Sequence, residues 1–97
     1  MNEEYWEKIG YTLASSYRRK IIFALGDGPL TPKQLSQICD IGIGHVSNVL
    51  KGLREMHLVK CLNPKMRKGR LYALTQEGTD ILDFLLKIKN ILNKNKN

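Results

Sequence analysis

The stretch Thr31 to Met56 constrains this chain more than any other, because it reads as two short helices joined by a tight turn. Thr31 is suited to cap the first helix, Pro32 to stand at its first position and Gln34 to complete a capping box. Leu35 and Ile38 then supply one apolar stripe, and Asp40-Ile41-Gly42 breaks the helix. A second helix begins near Ile43 or Gly44. Val46, Val49, Leu50 and Leu53 recur in it at helical spacing and so form one buried face. The opposite face holds Gly44, Ser47, Asn48 and Lys51, with His45 and Arg54 at its edges and no carboxylate before Glu55. A face selected for solubility alone mixes both signs of charge. Short polar groups, amides and cations are what a helix needs to enter a DNA groove.

With 97 residues, 42% of them hydrophobic and 26% charged, the chain suffices for one compact domain and not for two ordinary ones. A formal net charge of +7 favours an anionic partner, either nucleic acid or an acidic membrane surface. The distribution of charge chooses between them. Lys51, Arg54, Lys60, Lys65, Arg67, Lys68 and Arg70 face only Glu55 in the same stretch, beside the polar helix face, and this points to phosphates. The Met-Asn-Glu-Glu start is acidic, unlike a secretory signal. No apolar run approaches membrane-spanning length, since Ile81 to Leu92 is interrupted by Asp83, Lys87, Lys89 and Asn90. Cys39 and Cys61 make no disulfide framework, so a cytoplasmic protein without a membrane partner is expected.

Before the central stretch, Tyr5, Trp6, Ile9 and Leu13 suggest a short amphipathic helix over Glu3 to Leu13, interrupted by Gly10. An early Trp and Tyr in so small a domain either pack against a second subunit or fold back on their own core. Ser15 or Ser16 can cap the next helix, whose apolar positions are Tyr17, Ile21, Ile22 and Leu25. Gly26-Asp27-Gly28-Pro29 ends it, with Gly26 suited to a left-handed cap. Arg18, Arg19 and Lys20 read as a solvated face, from which Arg18 or Arg19 could still reach a phosphate.

After the central stretch, His57 stands where a left-handed residue would turn the chain into a strand. Leu58 to Asn63 and Arg70 to Leu74 then read as a hairpin, with a cationic tip at Pro64-Lys65-Met66-Arg67-Lys68-Gly69. Thr75 caps a final helix with Glu77 in its first turn. Ile81, Leu82, Phe84, Leu85, Leu86, Ile88, Ile91 and Leu92 make this helix more apolar than one domain face needs, which signals an interface. A dimer contact through Trp6, Ile81, Leu85, Ile88 and Leu92 is therefore expected, and the tail from Asn93 to Asn97 should fray.

Cys39, His45, His57 and Cys61 have the ligand types of a structural zinc site. His45 and His57 lie 12 residues apart across one helix, and at ~1.5 Å per residue they are too far apart for one metal. No metal or cofactor is expected. A Cys39–Cys61 redox pair remains open, though both residues also suit small core positions. No nucleophile–base arrangement, nucleotide-binding glycine loop or convergent carboxylate pair is visible, so no catalytic residue is assigned.

The order of elements resembles the winged helix-turn-helix transcription regulators, the ArsR-like and MarR-like repressors in particular. Ala14-Ser15-Ser16-Tyr17-Arg18-Arg19-Lys20-Ile21-Ile22 resembles the family's first-helix opening, and Leu30-Thr31-Pro32-Lys33-Gln34-Leu35 its second-helix start. Val46-Ser47-Asn48-Val49-Leu50-Lys51-Gly52-Leu53 with Leu58-Val59 resembles its recognition helix, and Leu74-Thr75-Gln76-Glu77-Gly78 its exit from the wing. The chain departs from the family in carrying His57 for the usual glycine and Gly44 where relatives often have a hydroxyl cap, and in lacking the paired-cysteine metal box.

The resemblance implies a mainly α fold with a small β-hairpin (α+β), a winged helix-turn-helix with an added N-terminal helix and a long C-terminal one. The expected organisation is a single domain over 1–97, with an N-terminal helix (1–13), a winged-helix core (14–75) and a dimerisation helix (76–93). Its expected partners are double-stranded DNA and a second copy of the chain. The residues expected at DNA are Thr31, Lys33, Gly44, His45, Ser47, Asn48, Lys51 and Arg54, with Lys65, Arg67, Lys68 and Arg70 on the wing. A winged-helix module that binds protein, and a chromatin-like DNA binder of low specificity, are the alternatives. Cations on both the helix and the hairpin favour the regulator, whereas the short side chains of Gly44 and Ser47 keep the low-specificity binder in play.

Overall fold

Three hydroxyl side chains set where helices begin. Ser15, Thr31 and Thr75 accept the backbone N–H of Arg18, Gln34 and Gly78 at 3.3, 3.2 and 3.0 Å, each three residues on. At Thr31 the box is complete, because the Gln34 side chain accepts the Thr31 N–H at 2.9 Å. The computed structural model describes residues 3–94; the end of the polar tail, 95–97, lies outside the described residues. The elements are α1 (Glu3–Leu13), α2 (Ser16–Leu25), α3 (Pro32–Cys39), α4 (Ile43–Glu55), β1 (Val59–Cys61), β2 (Tyr72–Leu74) and α5 (Gln76–Lys94). The fold is mainly α with one small hairpin, a winged helix-turn-helix flanked by an N-terminal helix and a long C-terminal helix.

The strands pair antiparallel, Val59 with Leu74 and Cys61 with Tyr72, and are shorter than Leu58–Asn63 and Arg70–Leu74. One further hydrogen bond, from Leu62 N–H to Leu71 O at 2.8 Å, extends the pairing before the chain opens into a basic loop. Leu30 bridges the free edge of Tyr72 through two hydrogen bonds of 3.0 and 2.9 Å, so the start of α3 is anchored to the hairpin. The core is one cluster in which Ile21, Ile22, Leu35, Val46, Leu53, Leu58 and Ile81 are at most 1% exposed. Each such side chain contributes roughly 1.5–3 kcal/mol of burial, which locks α2 to α5 together around the helix-turn-helix.

The exit from α4 is the tightest joint. His57 takes φ 60, as its place in the sequence requires, and Leu58 N–H returns to Leu53 O at 2.9 Å. Thr75 Oγ1 donates to His57 O at 2.6 Å, and the Leu58 carbonyl lies where a Cβ on Gly78 would be only 2.1 Å away. Only glycine lets α5 start this close to the α4 exit.

Two polar contacts tie α1 down. Lys8 is buried against Glu77 of α5 and lies 3.2 Å from Glu4. The Arg18 guanidinium stacks 3.7 Å over the Tyr11 ring and donates to Tyr11 O at 2.7 Å, while Arg19 donates to Leu13 O. Arg18 and Arg19 therefore join α1 to α2 instead of forming a free cationic face.

Several sequence expectations need correction. Ile38 is 62% exposed, because Leu35 and Cys39, one turn apart, already fill the inward face of the short α3. Gly26 is right-handed at φ −60, and Gly28 takes the positive φ instead. Ile81 and Leu85, expected at a dimer contact, are 1% and 4% exposed within the chain's own core. They lie on the first half of α5, which packs on the core, whereas Ile91 and Leu92 are both 59% exposed beyond it. No helix among the described residues is long and apolar enough to cross a membrane.

Candidate nucleic-acid interface

Burying Val46, Leu50 and Leu53 fixes the rotation of α4, so its other face must point to solvent. Gly44, His45, Ser47, Asn48, Lys51 and Arg54 are all exposed there. Helix α4 opens on Gly42, which makes no side-chain cap, so Gly44 is an in-helix residue and not the cap expected for it. His45 is less free than the others: its ring stacks tilted against Tyr17 at 5.4 Å. That contact also explains why Tyr17, expected on the inner face of α2, is 37% exposed.

The wing has its own organiser, Asn63, which sequence reasoning missed. Its Oδ1 accepts Leu71 N–H at 2.7 Å and its Nδ2 donates to Gly69 O at 3.2 Å, bracing both sides of the loop. Arg70 Nε donates to Met66 O at 2.6 Å, and Gly69 turns the chain at φ 68. Asn immediately before Pro64 is a common turn initiator, and was the available signal. With the loop braced, Lys65, Arg67 and Lys68 extend outward, exposed.

The Leu30 bridge brings two cationic segments together. Thr31, Lys33, Ile43, Arg67, Lys68 and Arg70 line one hollow of about 500 Å³ between α3, the start of α4 and the wing. Five of the residues expected at DNA meet there, and no carboxylate lines it. His45, Ser47, Asn48, Lys51 and Arg54 continue from it along α4, while Lys65 stands outside it. Among the described residues, none of these cations has a carboxylate within salt-bridge distance; both ion pairs are those of Lys8. Six of the nine acids, Glu3, Glu4, Glu7, Glu77, Asp80 and Asp83, sit instead on α1 and α5. Such segregation leaves a surface whose field attracts a polyanion.

The thiols do not add chemistry to this surface. Cys39 is buried, its Sγ donating to Lys20 O at 3.6 Å, and burial pushes its pKa above the ordinary value despite the Lys20 charge. Cys61 is half-buried and faces Asn63 Oδ1 at 3.7 Å. Both are free thiols, and no group of three or more potential metal ligands occurs among the described residues.

Residues 15–60, from the α2 cap through β1, match the model of the bacterial regulatory proteins of the arsR family. No curated protein matches the chain. Among solved structures, reduced HlyU from Vibrio cholerae is 24% identical over 80% of this chain and 81% of its own, with a TM-score of 0.69. Diamide-treated YodB from B. subtilis is 21% identical over 98% and 95%, with a TM-score of 0.78. Mb0332 from Mycobacterium bovis, described as a homodimeric winged helix-turn-helix DNA-binding domain and a possible ArsR-family regulator, is 16% identical over 96% and 82%, at 0.72. At these identities the likeness is one of fold.

Proposed function

We propose that this winged helix-turn-helix transcriptional regulator, which carries the ArsR-type module over residues 15–60, works as a homodimer that binds specific double-stranded DNA. Helix α4 enters the major groove and the wing lies on the adjacent backbone or in the minor groove. One observation carries this reading. The cations of α3 and the wing converge, beside the outward face of α4, on a hollow that no acid lines and in which no ion pair forms. In isolation that arrangement is self-repulsion; against a duplex, each cation releases condensed counterions.

Roles divide by reach. Asn48 can bond adenine bidentately and Lys51 can reach guanine acceptors, so these two are the base readers. Thr31, Lys33, Arg67, Lys68 and Arg70 hold phosphates and set the register, with Lys65 and Arg54 at the margins. The homodimer rests on the exposed Trp6, Ile91 and Leu92, with Ile88 beside them, and on the homodimeric state of the Mycobacterium bovis domain of the same fold. Two copies would set two α4 helices about one helical turn of DNA, or a multiple of it, apart.

The test is binding of Asn48→Ala and Lys51→Ala to a duplex selected by the wild-type protein and to random duplex. A base reader loses about 1–3 kcal/mol on the selected site alone. Equal loss on both duplexes makes the residue a phosphate contact. No binding by the wild type would turn the reading toward a protein-interaction module.

A further inference from the structure

Ile43 stands at the first position of α4 and is 53% exposed among cations, a place where packing gives it nothing to do. A single exposed isoleucine by itself is ordinary on protein surfaces. Its two neighbours give it meaning. Gly42 and Gly44 flank it, and neither is demanded by crowding: a Cβ on Gly44 would meet nothing within 4 Å, and one on Gly42 only His45 Cδ2 at 3.5 Å, an ordinary contact. Neither takes a positive φ; Gly42 is extended at φ −57, ψ 144. Gly42 is the N-cap of α4, where glycine is better accepted than alanine, but Gly44 lies inside the first turn, where glycine weakens a helix relative to alanine, so Gly44 is unexplained by the protein alone. It contrasts with Gly52 and Gly78, where the space of the missing side chain is taken by Tyr11 and Leu58.

We infer that Gly42-Ile43-Gly44 is a thymine-reading step, in which the Ile43 side chain packs on a thymine 5-methyl group and the two glycines let the backbone close on the base edges. In the major groove the 5-methyl group distinguishes thymine from every other base, and it is recognised by apolar contact. The surrounding Lys33, Arg67, Lys68 and Arg70 hold the phosphates that would bring the groove onto Ile43. Short side chains along the rest of the face, Gly44 and Ser47, keep the helix close enough for that contact. This step rests on the DNA-binding function proposed above and adds its base preference.

The experiment replaces each thymine of a duplex selected by the full wild-type chain with deoxyuridine, one at a time, removing only the methyl group. For the wild type, one thymine per half-site should show a loss of about fourfold, the contribution of one buried methyl. Ile43→Ala should be indifferent to the same replacement while still binding duplex DNA. Gly44→Ala should raise the melting temperature yet weaken binding to the selected site. Uracil tolerated at every position by the wild type, or a methyl effect that survives intact in Ile43→Ala, overturns the inference. A rise in melting temperature with unchanged affinity in Gly44→Ala removes the role given to the glycines. A wild-type protein that selects no sequence at all fails the parent function instead, a result distinct from selecting a site and ignoring its methyl groups.

Discussion

The Tyr11 hydroxyl occupies the space in which a side chain on Gly52 would begin: a Cβ there would lie 2.1 Å from the oxygen and 3.4 Å from Cζ. The Arg18 guanidinium covers the face of the same ring, 3.7 Å from its centroid. Helix α1 is thus keyed to the middle of α4, and the N-terminal helix constrains the orientation of the helix proposed to enter the groove.

Gly52→Ala should therefore destabilise the protein by about 1–2 kcal/mol, overpacking outweighing the better helix propensity of alanine. Tyr11→Phe alone should cost less than about 1.5 kcal/mol. Combined, the two should be milder than their sum, because removing the hydroxyl leaves only the tight but tolerable 3.4 Å approach. Urea denaturation of the four proteins measures the coupling; strict additivity would mean that the ring moves freely aside.

Lys8 links α1 to the start of α5, and its pKa is raised, first by its hydrogen bond to Glu77 and then by Glu4, against an opposing effect of burial. A raised lysine pKa adds stability that is full below the unfolded value, near 10.5, and is lost as pH rises through the higher folded value. Glu77 and Glu4 are 54% and 65% exposed, so solvent screens the pair and its net contribution at neutral pH is within about 1 kcal/mol. Lys8→Met should accordingly leave neutral-pH stability nearly unchanged and flatten the alkaline fall above pH 10.5. Melting curves at neutral and alkaline pH check this, and parallel alkaline losses in both proteins would contradict it.

On α5 the two halves should answer mutation differently. Leu92, 59% exposed, should tolerate Asp without unfolding, yet Leu92→Asp should shift sedimentation from dimer toward monomer at tens of micromolar. Ile81, 1% exposed, should not tolerate it: Ile81→Asp buries an unpaired carboxylate and should lose the folded state. A wild type that sediments as a monomer at the same concentration would remove the dimer from the proposal.

Local chemistry made much of this legible. The Thr31 box, the Asp40 break, the left-handed His57 and the Thr75 cap are each written within a few residues of sequence, and each formed as expected. What failed was decided over distance. Nothing in α1 announces that Lys8 will be buried, because its partner Glu77 lies 69 residues away. The stripe of α5 is continuous in sequence, and only the reach of the core decides that Ile81 and Leu85 belong inside while Leu92 does not. Ile43 escapes notice in the sequence because nothing local marks an apolar residue at a helix start as outward-facing; only the packed structure shows it 53% exposed in the hollow beside α3 and the wing.

The most direct test of DNA binding by α4 and the wing is a salt titration of wild type and the Arg67→Ala/Lys68→Ala double variant on selected and random duplex. Exposed cations contribute little to stability, so the double variant should fold normally. Wild type should bind the selected duplex about a thousandfold or more tighter than random sequence at physiological salt. In the double variant affinity for both duplexes should fall together, and the log–log salt slope should become shallower by about one unit for each phosphate left without its cation. Unchanged affinity and slope in the double variant would contradict a DNA-contacting wing, and equal wild-type affinity for both duplexes would contradict sequence-specific recognition.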